Sequence, residues 1–244
     1  MQTQQKGISG YWLKMIAVLS MLIDHTSAVI LESIPGMEVI AFSMRLIGRL
    51  AFPIYCFLLV EGFFYTRSRK KYALRLFGFA LLSEIPFDLA FNSKVWDASY
   101  NNVFFTLLLG LLVIWGVDTV RKNVGPETWG TAAAVLRPLF IAGIVLAGGA
   151  AAILLRTDYS AVGVLAIFLM YMAHPSNVRS MCSGVLILGA LGGLIELVAL
   201  VDVVLISFYN GTRGKQIKYF FYLFYPVHLL LLCLIAWAMG VKQL

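Results

Sequence analysis

The chain has 244 residues, of which 61% are hydrophobic and only 13% are charged, and its formal net charge is +7. A soluble domain carries about half apolar and about a quarter charged residues, so this composition excludes a water-soluble fold. It also excludes a disordered chain, because disordered chains are poor in apolar residues. The sequence predicts a polytopic membrane protein whose excess of Lys and Arg faces anionic lipid rather than nucleic acid.

Eight apolar runs follow one another along the chain, and nearly all reach the roughly 20 residues that a transmembrane helix needs. They cover residues 11–31, 46–66, 72–92, 102–120, 138–155, 160–174, 182–206 and 219–240. We expect one all-α integral-membrane domain, residues 1–244, with about eight to ten helices. The first run has no small-residue cleavage site after it and is interpreted as a retained span.

The distribution of Lys and Arg between the connections indicates the orientation. A cytoplasmic N-terminus places the densest cluster, residues 67–71, on the cytoplasmic side of the membrane. In this arrangement the basic loop 207–218 falls on the outer side, against the usual preference, so its side stays open.

Ionisable side chains inside the apolar runs are the strongest functional signal, because each costs roughly 2.5–3.5 kcal/mol on insertion scales. They are Asp24, His25, Arg49, Glu61, Arg75, Glu84, Asp88, Asp118, Glu196, Asp202 and His228. Any one of them could be a buried ion pair that joins two helices. Their concentration in the first 90 residues favours a shared functional interior.

The adjacent pair Asp24 and His25 is the main candidate for proton transfer, since the ordinary pKa of histidine suits this role near neutrality. A nearby carboxylate, from Asp24 or another helix, could fix the histidine tautomer. The alternative is a packed histidine that bonds a backbone carbonyl. Lys14, eleven residues earlier, is predicted close to the same helical face, about three turns nearer the cytoplasm.

Arg67, Lys71 and Arg75 are spaced i, i+4, i+8, so a helix that began near residue 67 would carry them as one stripe, flanked by Lys70. Guanidinium groups are suited to phosphate oxygens, and the stripe is a candidate phosphate-binding site. The alternative is a positive-inside signal with snorkelling side chains.

Glu84 and Asp88 share a helix face with Pro86 between them, about 13.5 Å of helical rise beyond Arg75. They are candidates for binding an acceptor ammonium or for pairing with Arg49. The sequence has no metal-ligand spacing, phosphate-binding glycine loop or serine-nucleophile motif, so neither a metal nor a serine triad is expected.

Four segments together resemble the TraX family of integral-membrane, acyltransferase-like proteins. They are residues 13–30, 45–92, 157–167 and 208–230, which include LIDHTSAV, TDYSAVGVL and YPVHLL. The resemblance covers essentially the whole chain and implies a transmembrane-acyltransferase fold. The best-known activity of that family is N-terminal acetylation of conjugative pilin, with acetyl-CoA as the cosubstrate.

A wider resemblance, to bacterial membrane O-acyltransferases and heparan-glucosamine N-acetyltransferases, implies roles for single residues. His25 matches an essential histidine and would act as general base or carry the acetyl group briefly, beside Asp24 and with Arg49 stabilising the oxyanion. The donor would be held by Lys14, Arg67, Lys70, Lys71 and Arg75. The acceptor side would include Glu61, Glu84, Asp88, Asp158, Tyr159 and His228, among which Glu61 and Asp88 are expected to organise the site.

The sequence thus predicts a membrane acetyltransferase that acts on an amine, such as a pilin N-terminus, or on a sugar hydroxyl or amine. Intramembrane carboxylates and histidines also occur in proton-coupled transporters, although paired inverted repeats are not evident here. A non-enzymatic membrane assembly factor is the third possibility.

Overall fold

The computed structural model describes residues 7–242, apart from the side chain of Lys218, and this part of the chain is almost entirely helical. Its α-helices are α1 (Gly10–Val29), α2 (Glu38–Gly48), α3 (Ala51–Tyr65), α4 (Arg69–Phe87), α5 (Val103–Asn123), α6 (Pro126–Trp129), α7 (Ala133–Leu154), α8 (Ser160–Ala173), α9 (Asn177–Ile187), α10 (Val201–Ser207) and α11 (Lys218–Ala238). The described residues form two isolated β-bridges but no strand. The all-α prediction is confirmed.

Five helical segments of the described chain are long and apolar enough to cross a membrane. They are Gly10–Ser33, Glu38–Tyr65, Val103–Asn123, Pro126–Leu154 and Tyr219–Ala238. By this measure the predicted number of about eight is not reproduced, because α4 carries several charges and α8 and α9 are short. The chain is a multi-pass helical membrane protein.

The predicted span 182–206 is not one helix. After α9 the chain forms a π-helical turn, Leu188–Gly192, and then breaks at Gly193, whose φ of 127° favours glycine. A 3₁₀ segment, Leu194–Leu200, leads into α10, which packs back against α9. The residues that follow α10 therefore return to the face where α9 began.

The loop 208–217 lies beside the start of α1. The backbone N–H of Ile8 donates to the carbonyl of Phe208 at 2.8 Å, and that of Gly10 donates to Thr212 at 2.8 Å. Arg213 also donates to the carbonyl of Tyr65, at the end of α3. We call the face of the bundle that contains these contacts the amino-terminal face.

The opposite face is formed by the other ends of the helices. Here the N–H of Asn101 donates to the carbonyl of Arg156 at 3.0 Å, which joins the connection before α5 to the one after α7. Lys242, after α11, reaches the carbonyl of Ala90. The two faces together define the direction in which the helices cross the membrane.

Helix packing depends on small residues, as expected where lipid removes the hydrophobic drive for association. A Cβ on Gly110 or Gly184 would overlap Ile167 and Met170 respectively, so the helices touch closely at these points. By contrast, only the two alanines Ala133 and Ala152 of α7 are buried. Ile141, Ile144 and Val145 are half-buried against the core, and most other side chains of α7 face outward, where lipid is their natural surrounding.

Candidate active site

A cavity of about 1260 Å³ runs between the helices from the amino-terminal face to the opposite face. Its basic end, at the amino-terminal face, is lined by Lys14, Arg67, Arg75 and Arg213. Its opposite end is lined by Asp24, His25, Glu32, Arg45, Arg49, Tyr100, Asp158, Tyr159 and Glu196. Aromatic and aliphatic side chains, among them Tyr55, Leu59, Phe104 and Tyr225, line the part between.

His25 lines this cavity and is hydrogen-bonded to a second histidine, His228 of α11. The Nδ1 atom of His25 is 2.7 Å from Nε2 of His228, and Nδ1 of His228 is 2.7 Å from the carbonyl oxygen of Phe224. The two rings are nearly parallel, 6° apart, and His228 is buried. The structure therefore brings together two residues that the sequence placed 203 positions apart.

The hydrogen bonds assign the tautomers of this pair. The Phe224 carbonyl can only accept, so Nδ1 of His228 carries the proton and its Nε2 is an acceptor in the neutral ring. Nδ1 of His25 then donates to His228, which leaves Nε2 of His25 unprotonated. That nitrogen has the lone pair that a general base requires.

Asp24 does not fix this tautomer. Its carboxylate binds Nη1 of Arg45 at 2.6 Å and Nη2 of Arg49 at 3.0 Å, whereas Nε2 of His25 is 4.0 Å away. Adjacent residues of a helix point about 100° apart, so the two side chains of the pair reach different partners. An imidazole rather than the expected carboxylate holds His25.

Arg49 lies at the break between α2 and α3 and is held on three sides. Nη1 donates to Oε1 of Glu196 at 2.9 Å, Nη2 to Asp24 at 3.0 Å, and Nε to the carbonyl of Arg45 at 3.2 Å. A guanidinium has five N–H donors, so two remain for other partners in the cavity. Glu196 was noticed in the sequence as an intramembrane carboxylate, but its partner, 147 residues away, could not be identified from spacing.

Gly48 allows α2 to approach α1 closely enough for these ion pairs. A Cβ at this position would overlap the carboxyl group of Asp24. The glycine is therefore required by the contact and not by its backbone conformation.

We expect Gly48→Ala to lower the free energy of unfolding by about 1–3 kcal/mol, the usual cost of overpacking, and to impair the site because Asp24 must move. The matched control is Gly78→Ala in α4, where a Cβ meets nothing within 4 Å. Thermal unfolding in detergent measures both. Equal unfolding temperatures for the two variants would contradict the contact described here.

Asp158 and Tyr159 lie in the connection before α8, at the opposite end of the cavity. The hydroxyl of Tyr100 donates to Oδ1 of Asp158 at 2.7 Å. Burial raises the pKa of Asp158, and burial beside this carboxyl group raises the pKa of Tyr100. Tyr159 stacks on Phe52 with ring centroids 3.6 Å apart, so both predicted residues form part of the cavity wall.

The cations at the basic end are held by aromatic rings. The pairs are Lys14 over Phe221 at 5.4 Å, Arg75 over Tyr72 at 5.6 Å and Arg213 over Tyr65 at 5.9 Å. Among the described residues, none of these cations, nor Arg67, forms an ion pair within 4.0 Å. An aromatic ring orients a cation without neutralising it, so this end of the cavity keeps its positive charge.

The predicted cationic stripe on one helix is not formed. The side chain of Ser68 caps α4 by accepting from the N–H of Lys71, and the helix begins at Arg69, so Arg67 lies in the preceding connection. Arg67 and Arg75 nevertheless both line the cavity. Lys70 and Lys71 are exposed and lie off the cavity wall.

Of the remaining predicted acidic residues, one lines the cavity and two do not. Glu61 lines the cavity and lies 3.4 Å from Nε2 of His174. Glu84 accepts from Asn102, and Asp88 accepts from the N–H of Asp97 at 2.8 Å. Glu84 and Asp88 are buried off the cavity and do not pair with Arg49, whose carboxylate partners are Asp24 and Glu196.

Within residues 7–242 no group of three or more His, Cys, Asp or Glu side chains is arranged to hold a metal ion. The basic end of the cavity is suited to a ligand that carries phosphate groups. The site thus combines an imidazole with an unprotonated nitrogen, an arginine with N–H donors that no described residue binds, and a cluster of cations that form no ion pair with a described carboxylate.

Comparison with known proteins identifies relatives of this chain. The model of the family described as "TraX protein" matches residues 9–236. A protein of Dichelobacter nodosus, named "Probable fimbrial assembly protein FimC, serogroup H1", is 34% identical over 113 residues, which are 43% of this chain and 45% of that protein. The match thus spans less than half of that relative. No solved structure matches the chain.

Proposed function

Since the chain belongs to the TraX family, we propose that it is a membrane-embedded acetyltransferase that transfers the acetyl group of cytoplasmic acetyl-CoA to an amine or hydroxyl of an acceptor. One observation carries the proposal. A single cavity joins a histidine with an unprotonated Nε2 to a cluster of cations that form no ion pair with a carboxylate of the described residues.

The basic end of the cavity suits the donor. Acetyl-CoA carries a pyrophosphate and a 3′-phosphate, which Lys14, Arg67, Arg75 and Arg213 would bind by charge-assisted hydrogen bonds. Lys14 and His25 are eleven residues apart on α1, a rise of about 16.5 Å. This separation is comparable to the extended pantetheine arm, so bound phosphates would bring the thioester towards His25.

Acetyl transfer would take place beside His25 and Arg49. The acceptor nitrogen or oxygen attacks the thioester carbonyl carbon while its proton passes to Nε2 of His25. The two free N–H donors of Arg49 stabilise the negative oxygen that develops. The C–S bond then breaks, and the imidazolium returns the proton to the leaving thiolate of CoA.

We further propose that the amino-terminal face is cytoplasmic, in the inner membrane of a bacterium. The loop 208–217 lies on that face, so its cations join the cluster at residues 67–71 and those of Arg121, Lys122 and Arg179. Lys242, by contrast, lies on the opposite face. The basic loop no longer contradicts the positive-inside rule, and this supports a cytoplasmic amino-terminal face.

The relative's name, a probable fimbrial assembly protein, supports a pilus-related acceptor. It also favours a second candidate, a membrane assembly factor without enzymatic activity. The two differ in one respect, because only the acetyltransferase needs the base at His25 and the cations at the other end of the cavity.

His228 provides a first prediction for this mechanism. We expect His228→Leu to lower the transfer rate by about 10-fold to 100-fold, because the buried N–H of His25 loses its acceptor, which costs about 1–3 kcal/mol. His228→Asn retains an acceptor oxygen and should recover part of the rate. The pH dependence of the rate shows whether His228 sets the tautomer and basicity of His25 or only packs against it. A change of tautomer or basicity shifts the pH profile, whereas a loss of packing does not.

The direct test is reconstitution of the protein in liposomes with labelled acetyl-CoA and a panel of amines, peptides and sugars. We expect labelled acceptor together with free CoA. Transport of an unmodified panel member into the liposomes without any acetylated product would instead support a transporter. Absence of both, with acetyl-CoA failing to bind, would overturn the proposal.

A further inference from the structure

Glu196 has one oxygen whose role the ion pair with Arg49 does not explain. Oε1 accepts from Arg49 at 2.9 Å, whereas Oε2 is buried and has no hydrogen-bond partner among the described residues. The residue is 5% exposed and lines the cavity. An unpaired carboxylate oxygen in such a place is costly unless a donor reaches it.

The interrupted segment after Gly193 places this carboxylate at the cavity. The N–H of Glu196 donates to the carbonyl of Gly193 at 3.0 Å, which fixes it in the first turn of the 3₁₀ segment. Its side chain lies beside Gly192, where a Cβ would be at ordinary contact distance, 3.7 Å, from Cγ of Glu196. The break at Gly193 thus positions the carboxylate of Glu196 at the cavity wall.

The two ends of the cavity have opposite charge. At the basic end four cations face the single carboxylate of Glu61. At the opposite end four carboxyl groups, those of Asp24, Glu32, Asp158 and Glu196, face the two arginines Arg45 and Arg49. The potential therefore attracts anions to the amino-terminal face and cations to the opposite face.

We propose that Glu196 is an acceptor-binding residue and that its free oxygen receives the N–H of a protonated amine. This inference rests on the proposed function, since it names the class of acceptor that the opposite end of the cavity takes. Glu196 binds the ammonium on entry, and the nitrogen gains its lone pair when one proton leaves to water in the open cavity. His25 then removes the second proton as the neutral amine attacks the thioester, as in the mechanism above. An amine is favoured over a sugar hydroxyl because a neutral hydroxyl gains nothing from the negative charge at this end.

The test compares two peptides that differ in one atom, one with a free α-amino terminus and one with an α-hydroxyl in its place. Binding is measured to the full-length protein without acetyl-CoA, and transfer is measured with it. We expect Glu196→Gln to weaken binding of the amino peptide, and to raise its KM, by at least about tenfold. The hydroxy peptide should bind weakly, and the substitution should change its binding little. Gln is chosen because its side-chain oxygen can still accept the hydrogen bond from Arg49.

Asp202→Asn is the matched control. Asp202 lies on the same helical hairpin, is fully buried, and has two carboxylate oxygens without a partner among the described residues, but it does not line the cavity. This variant should leave both peptides unaffected. Thermal unfolding confirms that both variants are folded.

The outcomes are distinguishable from a failure of the proposed function. Binding of the amino peptide that depends on Glu196, without acetyl transfer, would support the acceptor site and overturn the acetyltransferase. Acetyl transfer with binding and KM unchanged in Glu196→Gln would leave the enzyme intact and overturn the inference. An equal effect of Glu196→Gln on both peptides would also overturn it, since it would indicate disturbed packing rather than lost charge.

Discussion

Replacement of His25 by Asn is expected to lower the rate of acetyl transfer by about 10²–10⁴-fold, the usual contribution of a positioned general base. Asn retains an N–H that can donate to His228, so the helix contact between α1 and α11 is preserved. It has no basic nitrogen to take the acceptor proton. Acetyl-CoA binding should therefore persist, because the cations proposed to bind its phosphates lie at the other end of the cavity.

The control for this prediction is His174→Asn, because the chain has three histidines and His174 lies at the amino-terminal face beside Glu61. Initial rates at saturating donor and equilibrium binding of acetyl-CoA are measured for both variants. We expect His174→Asn to retain most of the activity. A normal rate in His25→Asn would show that His25 is not the general base of the reaction.

Hydropathy predicted the helical membrane fold but not the reversal at Gly193. The run 182–206 is continuously apolar, and hydropathy does not distinguish one long span from two short segments joined at a glycine. The error placed the loop 207–218 opposite the N-terminus, where its cations contradicted the positive-inside rule. That contradiction was the one sign in the sequence that a turn had been missed.

The site was predictable where residues are close in sequence or matched a family motif, and not where they are distant. His25 and His228 were each proposed singly, but their hydrogen bond joins α1 to α11 and cannot be inferred from spacing. The same holds for Arg49 and Glu196. Glu84 and Asp88 show the converse, because a shared helix face places two carboxylates together without indicating whether they face a cavity or a neighbouring loop.

The second large effect is expected at the basic end of the cavity. Arg75→Gln and Arg213→Gln should each weaken acetyl-CoA binding by about 10-fold to 150-fold, which corresponds to about 1.5–3 kcal/mol for a hydrogen bond to a charged group. Arg75 is the sharper case, because its Nε is buried without a hydrogen-bond partner among the described residues. A bound phosphate would provide that partner.

The matched controls are Lys70→Gln and Lys71→Gln, which remove the same charge from exposed positions off the cavity wall. Their effect on binding should be small, since exposed charges are screened by salt.

Thermal unfolding separates a donor-binding role of Arg75 from a structural one. A ligand that binds only the folded state raises the unfolding temperature, so acetyl-CoA should stabilise the wild-type protein and both lysine variants. Without acetyl-CoA, Arg75→Gln should be about as stable as the wild type, because Arg75 forms no ion pair with a described carboxylate that the substitution would break. With acetyl-CoA its stabilisation should be largely lost. If Lys70→Gln and Lys71→Gln weakened binding as strongly as Arg75→Gln, the phosphates would be held by the surface cluster that the sequence suggested, and the cavity would not be the donor site.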